Sequence, residues 1–150
     1  MIETIKFITS GAAVKRYHTV TTLTQETVGH HSHVVAMFTL LLKPDASRSL
    51  LMAALFHDLA EHQTGDIPSP SKREFGIGNK IEILEHELMA SVGIIMPKLS
   101  DEEARILKLA DIMQGLFFCV RESYLGNRLM DEIGERYFKY AGGFRRRAAL

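Results

Sequence analysis

A chain of 150 residues, 46% hydrophobic and 24% charged, has the size of one ordinary domain, and at that length about 68–70% of the unfolded surface is buried on folding. Its 18 Lys+Arg balance its 18 Asp+Glu, which argues against a nucleic-acid coat or other general polyanion binding but leaves room for a small anion held by a few cations. The single cysteine, Cys119, excludes an internal disulfide, and neither a signal-peptide h-region nor an apolar run of roughly 20 residues occurs, so a cytoplasmic protein off the membrane is expected.

Met1 to Ser10 alternates apolar residues with Glu3 and Lys6. Period-2 alternation with β-branched residues is confined to Thr19–Thr24, too short to found a sheet. Val34, Val35, Phe38, Leu41 and Leu42 recur at helical spacing and predict a helix over about Val28–Leu42, stopped by Pro44 and Asp45. A second helix is expected from about Ser47 through Leu50, Leu51, Ala54 and Leu55 to His57–Ala60. Thr64 to Ser71, with Pro68 and Pro70, reads as a loop that continues toward Gly76 and Gly78. A helix restarts near Asn79, a candidate N-cap with Glu82 at N3, and Pro97 closes it. Ser100 and Glu103 form a better capping box opening the longest helix, about Asp101–Leu125, which Gly126-Asn127 ends. A last helix, about Arg128–Tyr140, is expected to stop at Gly142-Gly143. The pattern defines an all-α single domain over 1–150.

Four residues of metal-ligand type sit within otherwise apolar helices: His31, the adjacent His57-Asp58, and Asp111. In the long helix Ile106, Leu109, Ala110, Met113, Phe117 and Val120 form one stripe, and Asp111 falls beside Leu107, Ala104 and Phe118. That helix is apolar on most sides, so Asp111 is expected to point inward, where a carboxylate needs a cation, a hydrogen bond or a metal. Lys108 lies one turn earlier on the same side; an ordinary ion pair of Asp111 with Lys108 or Arg105 is the alternative. Glu61 follows His57-Asp58 by one helical turn. Imidazoles and carboxylates together suit a divalent transition ion with open positions, which lowers the pKa of water and polarises a phosphoryl oxygen.

The order His31 … His57-Asp58 … Asp111 on successive helices resembles the HD superfamily of metal-dependent phosphohydrolases. Glu26-Thr-Val-Gly-His-His31-Ser32, His57-Asp58-Leu-Ala-Glu61 and Thr64-Gly65-Asp66-Ile-Pro68-Ser-Pro70-Ser-Lys72 are similar to the bacterial 5′-deoxynucleotidases of that superfamily. In size the chain resembles the compact phage dATP triphosphohydrolases more closely. The resemblance covers about Arg16 to Asp111 and implies an HD-type helical bundle with a metal site between its central helices. It implies metal ligation by His31, His57, Asp58 and Asp111, with Glu61 and Asp66 as acid–base and water-positioning carboxylates. Arg16, Lys72 and Lys108 would grip phosphates, while Tyr17 and Pro70 would line the nucleoside pocket. Tyr17 stands where the family carries tryptophan, and its ring can still exclude a 2′-hydroxyl. His30 replaces a usual acidic residue. The implied cofactor is a divalent ion (zinc, cobalt, manganese or iron, with magnesium as a second ion). The implied partners are a deoxynucleotide and further copies of the chain, as a dimer or hexamer.

The activity expected from this resemblance is hydrolysis of dATP to deoxyadenosine and triphosphate, with a 5′-deoxynucleotidase as runner-up. A non-catalytic nucleotide sensor is disfavoured because neither a ligand nor Glu61 is missing. His33 faces another side of its helix than His31 and, like His18, His62 and His86, reads as an ordinary core or surface histidine. Position 90 is Ala, so His86-Glu87 opens no zincin motif, and Gly76-Ile-Gly78 has no preceding strand to make a dinucleotide loop. Met130, Ile133, Tyr137 and Phe138 serve either a subunit interface or docking of the last helix on the core. Arg145-Arg146-Arg147 reads as a solvated tail, with an acidic partner as the alternative.

Overall fold

The computed structural model describes residues 1–148, with side chains described through residue 143. Eight α-helices are named in chain order: α1 Ile2–Ala12, α2 Val28–Leu42, α3 Arg48–Phe56, α4 Glu61–Thr64, α5 Ser69–Glu74, α6 Gly78–Ser91, α7 Asp101–Tyr124 and α8 Asp131–Ala148. No strand occurs among the described residues; Thr19–Thr24 lies in irregular chain, and one isolated bridge joins Lys15 to Thr27. Nor is any helix among them long and apolar enough to cross a membrane. The fold is all-α, as expected.

Side-chain caps explain the helices whose starts were legible. Thr27 accepts from the His30 amide to open α2, Ser47 accepts from Leu50 N at 3.0 Å to open α3, and Ser100 with Glu103 makes a full capping box on α7. Ser47 also donates to Glu103 Oε1 at 2.5 Å, tying the starts of α3 and α7 together.

The other boundaries differ from expectation for local reasons. The Met1–Ser10 region is helical, as α1. α3 stops at Phe56, and His57–Ala60 forms turns closed by Leu59 N to Phe56 O and Glu61 N to Asp58 O, each 3.1 Å. The Pro-rich loop contains α5, which tolerates Pro70 in its first turn because those N–H groups need no helical partner. α6 starts at Gly78 with Ile77 as N-cap and no side-chain cap, so Asn79 does not cap it; it ends at Ser91, before a left-handed Gly93, well ahead of Pro97. The final segment opens with a 3₁₀ turn, Arg128–Met130, and α8 runs on through Gly142-Gly143. The Arg145–Arg147 run lies outside the described side chains.

Three apolar clusters meet around α2 and α7. Phe7, Val28, Leu59, Ala60, Met89 and Ile94 join α1, the start of α2, the turn after α3, and α6. Val35, Ala54 and Ala110 join α2, α3 and α7. Phe118, Cys119 and Met130 join α7 to the last segment, with Tyr17, Ile133 and Tyr137 packed against them. Ile133 and Tyr137 thus dock on the core with Met130, whereas Phe138 is 69% exposed. The buried face of α7 is Ala110, Ile112, Gln114, Gly115, Phe118, Cys119 and Glu122, which shares only Ala110 with the anticipated stripe; Phe117 and Val120 are exposed. Glu122 accepts from the backbone N–H groups of Leu23 and Thr24 and from Asn127 Nδ2, and so pins the 19–24 segment beside Tyr17.

Candidate metal centre

α2 buries Val28, His31, Ser32, Val35 and Thr39, a 3–4 spacing that points the His31 ring into the bundle. His57 is the C-cap of α3, and Asp58 begins the turn that follows. Asp111 lies midway along α7 and is half-buried, its side chain 23% exposed. These elements converge: His31 Nε2 is 3.2 Å from His57 Nε2 and 3.4 Å from Asp58 Oδ2, and His57 Nε2 is also 3.4 Å from that oxygen. Asp111 Oδ1 stands 3.5 Å from His31 Nε2. One ligand atom from each of His31, His57 and Asp58 lies within 4.8 Å of the other two.

Hydrogen bonds behind the rings orient them. His57 Nδ1 donates to Ala54 O at 3.0 Å, and His31 Nδ1 donates to Gln114 Oε1 at 2.6 Å. Burial pushes the His31 imidazole down to about 3, so it is neutral at physiological pH. With Nδ1 carrying the proton, Nε2 is left with a bare lone pair. Two such nitrogens and a carboxylate oxygen facing one another form a donor set that fits a divalent cation. Burial works against ionised Asp111, but Lys108 Nζ, 2.8 Å from Oδ2, with His57 and His31 behind it, holds the carboxyl below its ordinary range. Asp58 is likewise held down against burial by His57 and Arg16.

The remaining candidates fall into two groups. Arg16 is buried and donates from Nη1 to Asp58 Oδ2 at 2.7 Å, with Nε 3.4 Å from Glu26 Oε2. Tyr17 has a positive φ of 55°, stacks on Phe118 at 4.5 Å, and places its hydroxyl 3.4 Å from that of Tyr137. Its amide donates to Asp66 Oδ2 at 3.3 Å, joining the Arg16-Tyr17 segment to the Thr-Gly-Asp loop. Glu61 is buried, and among the described residues its Oε2 has no partner. Burial first, then the charges of Asp58 and Asp66, push its carboxyl up to about 9. Pro70 and Lys72 stand apart on α5, Pro70 exposed and Lys72 half-buried, with no hydrogen bond or ion pair to the others among the described residues. The charge of Lys72 still reaches Glu61 and Glu85, favouring their ionised forms.

His33 is exposed, and His62 packs edge-on against Phe7, so neither joins the centre. Two residues of the site carried no metal signature in the sequence. Gln114 is a neutral amide among apolar neighbours, and its one signal is the spacing of three from Asp111 on a helix. Glu26, also buried, sits before α2 and lies 3.5 Å from His30 Nδ1.

A His-His-Asp cluster with a nearby Asp, set between the central helices of an all-α bundle, is the arrangement the resemblance to HD-domain metal-dependent phosphohydrolases implies. The chain belongs to the HD domain family, whose pattern matches residues 12–114. A dATP triphosphohydrolase from Salmonella phage PMBT28 is 25% identical over 142 residues, covering 85% of this chain and 72% of that protein. The crystal structure of the PH0347 protein from Pyrococcus horikoshii OT3 is similar with a TM-score of 0.75 and 25% identity, over 97% of this chain and 90% of that one.

Proposed function

We propose that the protein hydrolyses deoxynucleoside 5′-phosphates, and dATP in particular, to deoxyadenosine and triphosphate. The observation that carries this reading is the convergence of His31 Nε2, His57 Nε2 and Asp58 Oδ2 within 3.2–3.4 Å, in a chain similar to a phage dATP triphosphohydrolase. His31, His57, Asp58 and Asp111 would hold a divalent ion, whose contribution is to polarise the phosphoryl group and lower the pKa of water. Glu61 and Asp66 position the attacking water; Asp66 takes its proton, and the protonated Glu61 gives one to the departing 5′ oxygen. The water oxygen bonds to the α-phosphorus as the bond from phosphorus to the 5′ oxygen breaks, and that oxygen leaves as the hydroxyl of deoxyadenosine. Arg16, Lys72 and Lys108 offset charge on the phosphate chain. Tyr17, held against Phe118 and Tyr137, forms the wall for the sugar.

One observation favours a 5′-deoxynucleotidase as the second reading. Arg16 and Lys108 are already paired with Asp58 and Asp111, so Lys72 alone of the three cations has no ion-pair partner among the described residues. A smaller phosphate load suits that arrangement. The two are separated by incubating the protein with dATP or dAMP and manganese, cobalt or zinc, and following products by phosphorus NMR. Tripolyphosphate from dATP supports the first reading and orthophosphate from dAMP the second; no turnover of either overturns both.

A further inference from the structure

Glu26 lies behind the cluster, not in it, yet each of its oxygens faces a side chain that touches a candidate ligand. Through one arm, Gln114 Nε2 donates to Glu26 Oε1 at 2.6 Å while Gln114 Oε1 accepts from His31 Nδ1 at 2.6 Å. Through the other, Arg16 bridges Glu26 Oε2, 3.4 Å from Nε, and Asp58 Oδ2, 2.7 Å from Nη1. Glu26, Gln114 and Arg16 are each 8% exposed or less, so both arms are buried.

The order of atoms leaves the amide one orientation. Reversing Gln114 would press its oxygen against a carboxylate oxygen and turn its N–H₂ toward His31 Nδ1, which would then have to accept. The His31 proton would move to Nε2 and donate to the lone pair of His57 Nε2, 3.2 Å away, closing both nitrogens to a metal. A carboxylate at position 26 opposes this, because it accepts from Gln114, faces the Arg16 guanidinium only as an ion pair, and donates to neither. We propose that Glu26 is the positioning residue of the metal centre, locking His31 in its Nδ1–H tautomer through Gln114 and fixing the Asp58 carboxylate through Arg16. This rests on His31, His57, Asp58 and Asp111 being the metal ligands. An amide in place of the carboxylate frees Gln114 to turn over, so Glu26→Gln keeps the volume and loses the lock. The His31 ring can then present a proton where a ligand lone pair is needed.

Long-range nitrogen–proton NMR on histidine-labelled, metal-free protein reads the tautomer directly. Wild type is expected to show His31 protonated at Nδ1, and Glu26→Gln a mixture; a wild-type Nε2–H tautomer overturns the proposal. Calorimetric titration with zinc or manganese supplies the second readout. Glu26→Gln and Gln114→Met are expected to bind about 10–100-fold more weakly, the usual effect of losing an outer partner. Thr39→Val, buried on the same face of α2 but bonded only to Val35 O, controls for general destabilisation and is expected to bind as wild type does. Wild-type affinity in both site variants overturns the role of Glu26 while leaving the metal centre intact. Absence of metal binding by wild type overturns the metal centre itself. Should Glu26→Gln fail to fold, the wild-type tautomer and Gln114→Met still decide.

Discussion

Glu61 shows most clearly how one side chain records the demands of the site. It is 4% exposed and its Oε2 lacks a partner among the described residues, a costly arrangement for an ionised carboxylate. Its carboxyl is therefore raised from 4.5 to about 9, by burial first and then by Asp58 and Asp66. Across that window the native, metal-free protein keeps a proton that the unfolded chain has released, so its stability falls as pH rises. Glu61→Gln removes the titrating group while keeping the shape. Thermal melts of metal-free protein are expected to show equal Tm values near pH 4 and a higher Tm for Glu61→Gln at pH 8, with hydrolysis abolished. Melting curves with the same pH dependence in both proteins would rule out a protonated Glu61. His31, His57, Asp58, Glu61 and Asp111 were legible in the sequence because histidines and carboxylates stand out against apolar helices, whereas Glu26, placed before α2, was not. Gln114 was not, since an amide inside a helix carries no chemical signature until its partners are placed.

At the scale of the element, α1 is held close to the ligand-bearing turn by an absence of side chain. A Cβ on Gly11 would overlap the carbonyl oxygen of Leu59, the residue after Asp58, and backbone cannot yield as a flexible side chain can. Gly11→Ala is thus expected to cost about 1–3 kcal/mol in urea unfolding, the usual range for overpacking. Metal affinity is expected to fall with it, because the displaced turn carries Asp58; unchanged stability and affinity would mean that α1 does not brace the turn. This contact explains why α1 was not anticipated: Met1 offers no side-chain cap, and the helix is specified by packing of Phe7 and Gly11 on distant residues. The starts of α2, α3 and α7 were legible because Thr27, Ser47 and Ser100 cap them from their own sequence. Ends were harder to read. Glycines in a helix cost only about 1 kcal/mol each, so Gly142-Gly143 did not stop α8, and prolines in a first turn did not prevent α5.

Over the whole molecule, zero net charge conceals a local separation. Asp58 and Asp111 gather around two imidazoles, while Arg16 and Lys108 each pair with one of those carboxylates. An ion bound there would link α2, the turn after α3, and α7, the elements on which the three apolar clusters meet. Its binding free energy is then added to the stability of the fold, since the unfolded chain holds no such arrangement. At a free metal concentration one hundred times Kd the gain is about 2.7 kcal/mol. For a domain of this size each kcal/mol moves Tm by about 2–4 °C, so a rise of about 5–10 °C is expected on adding zinc, cobalt or manganese, and chelation should reverse it. Asp58→Ala removes one ligand and the partner of Arg16, and is expected to lose both the metal-dependent rise and hydrolysis. A wild-type melt indifferent to every divalent ion tried would refute the metal centre; a rise that survives Asp58→Ala would move it away from the His31–His57–Asp58 cluster.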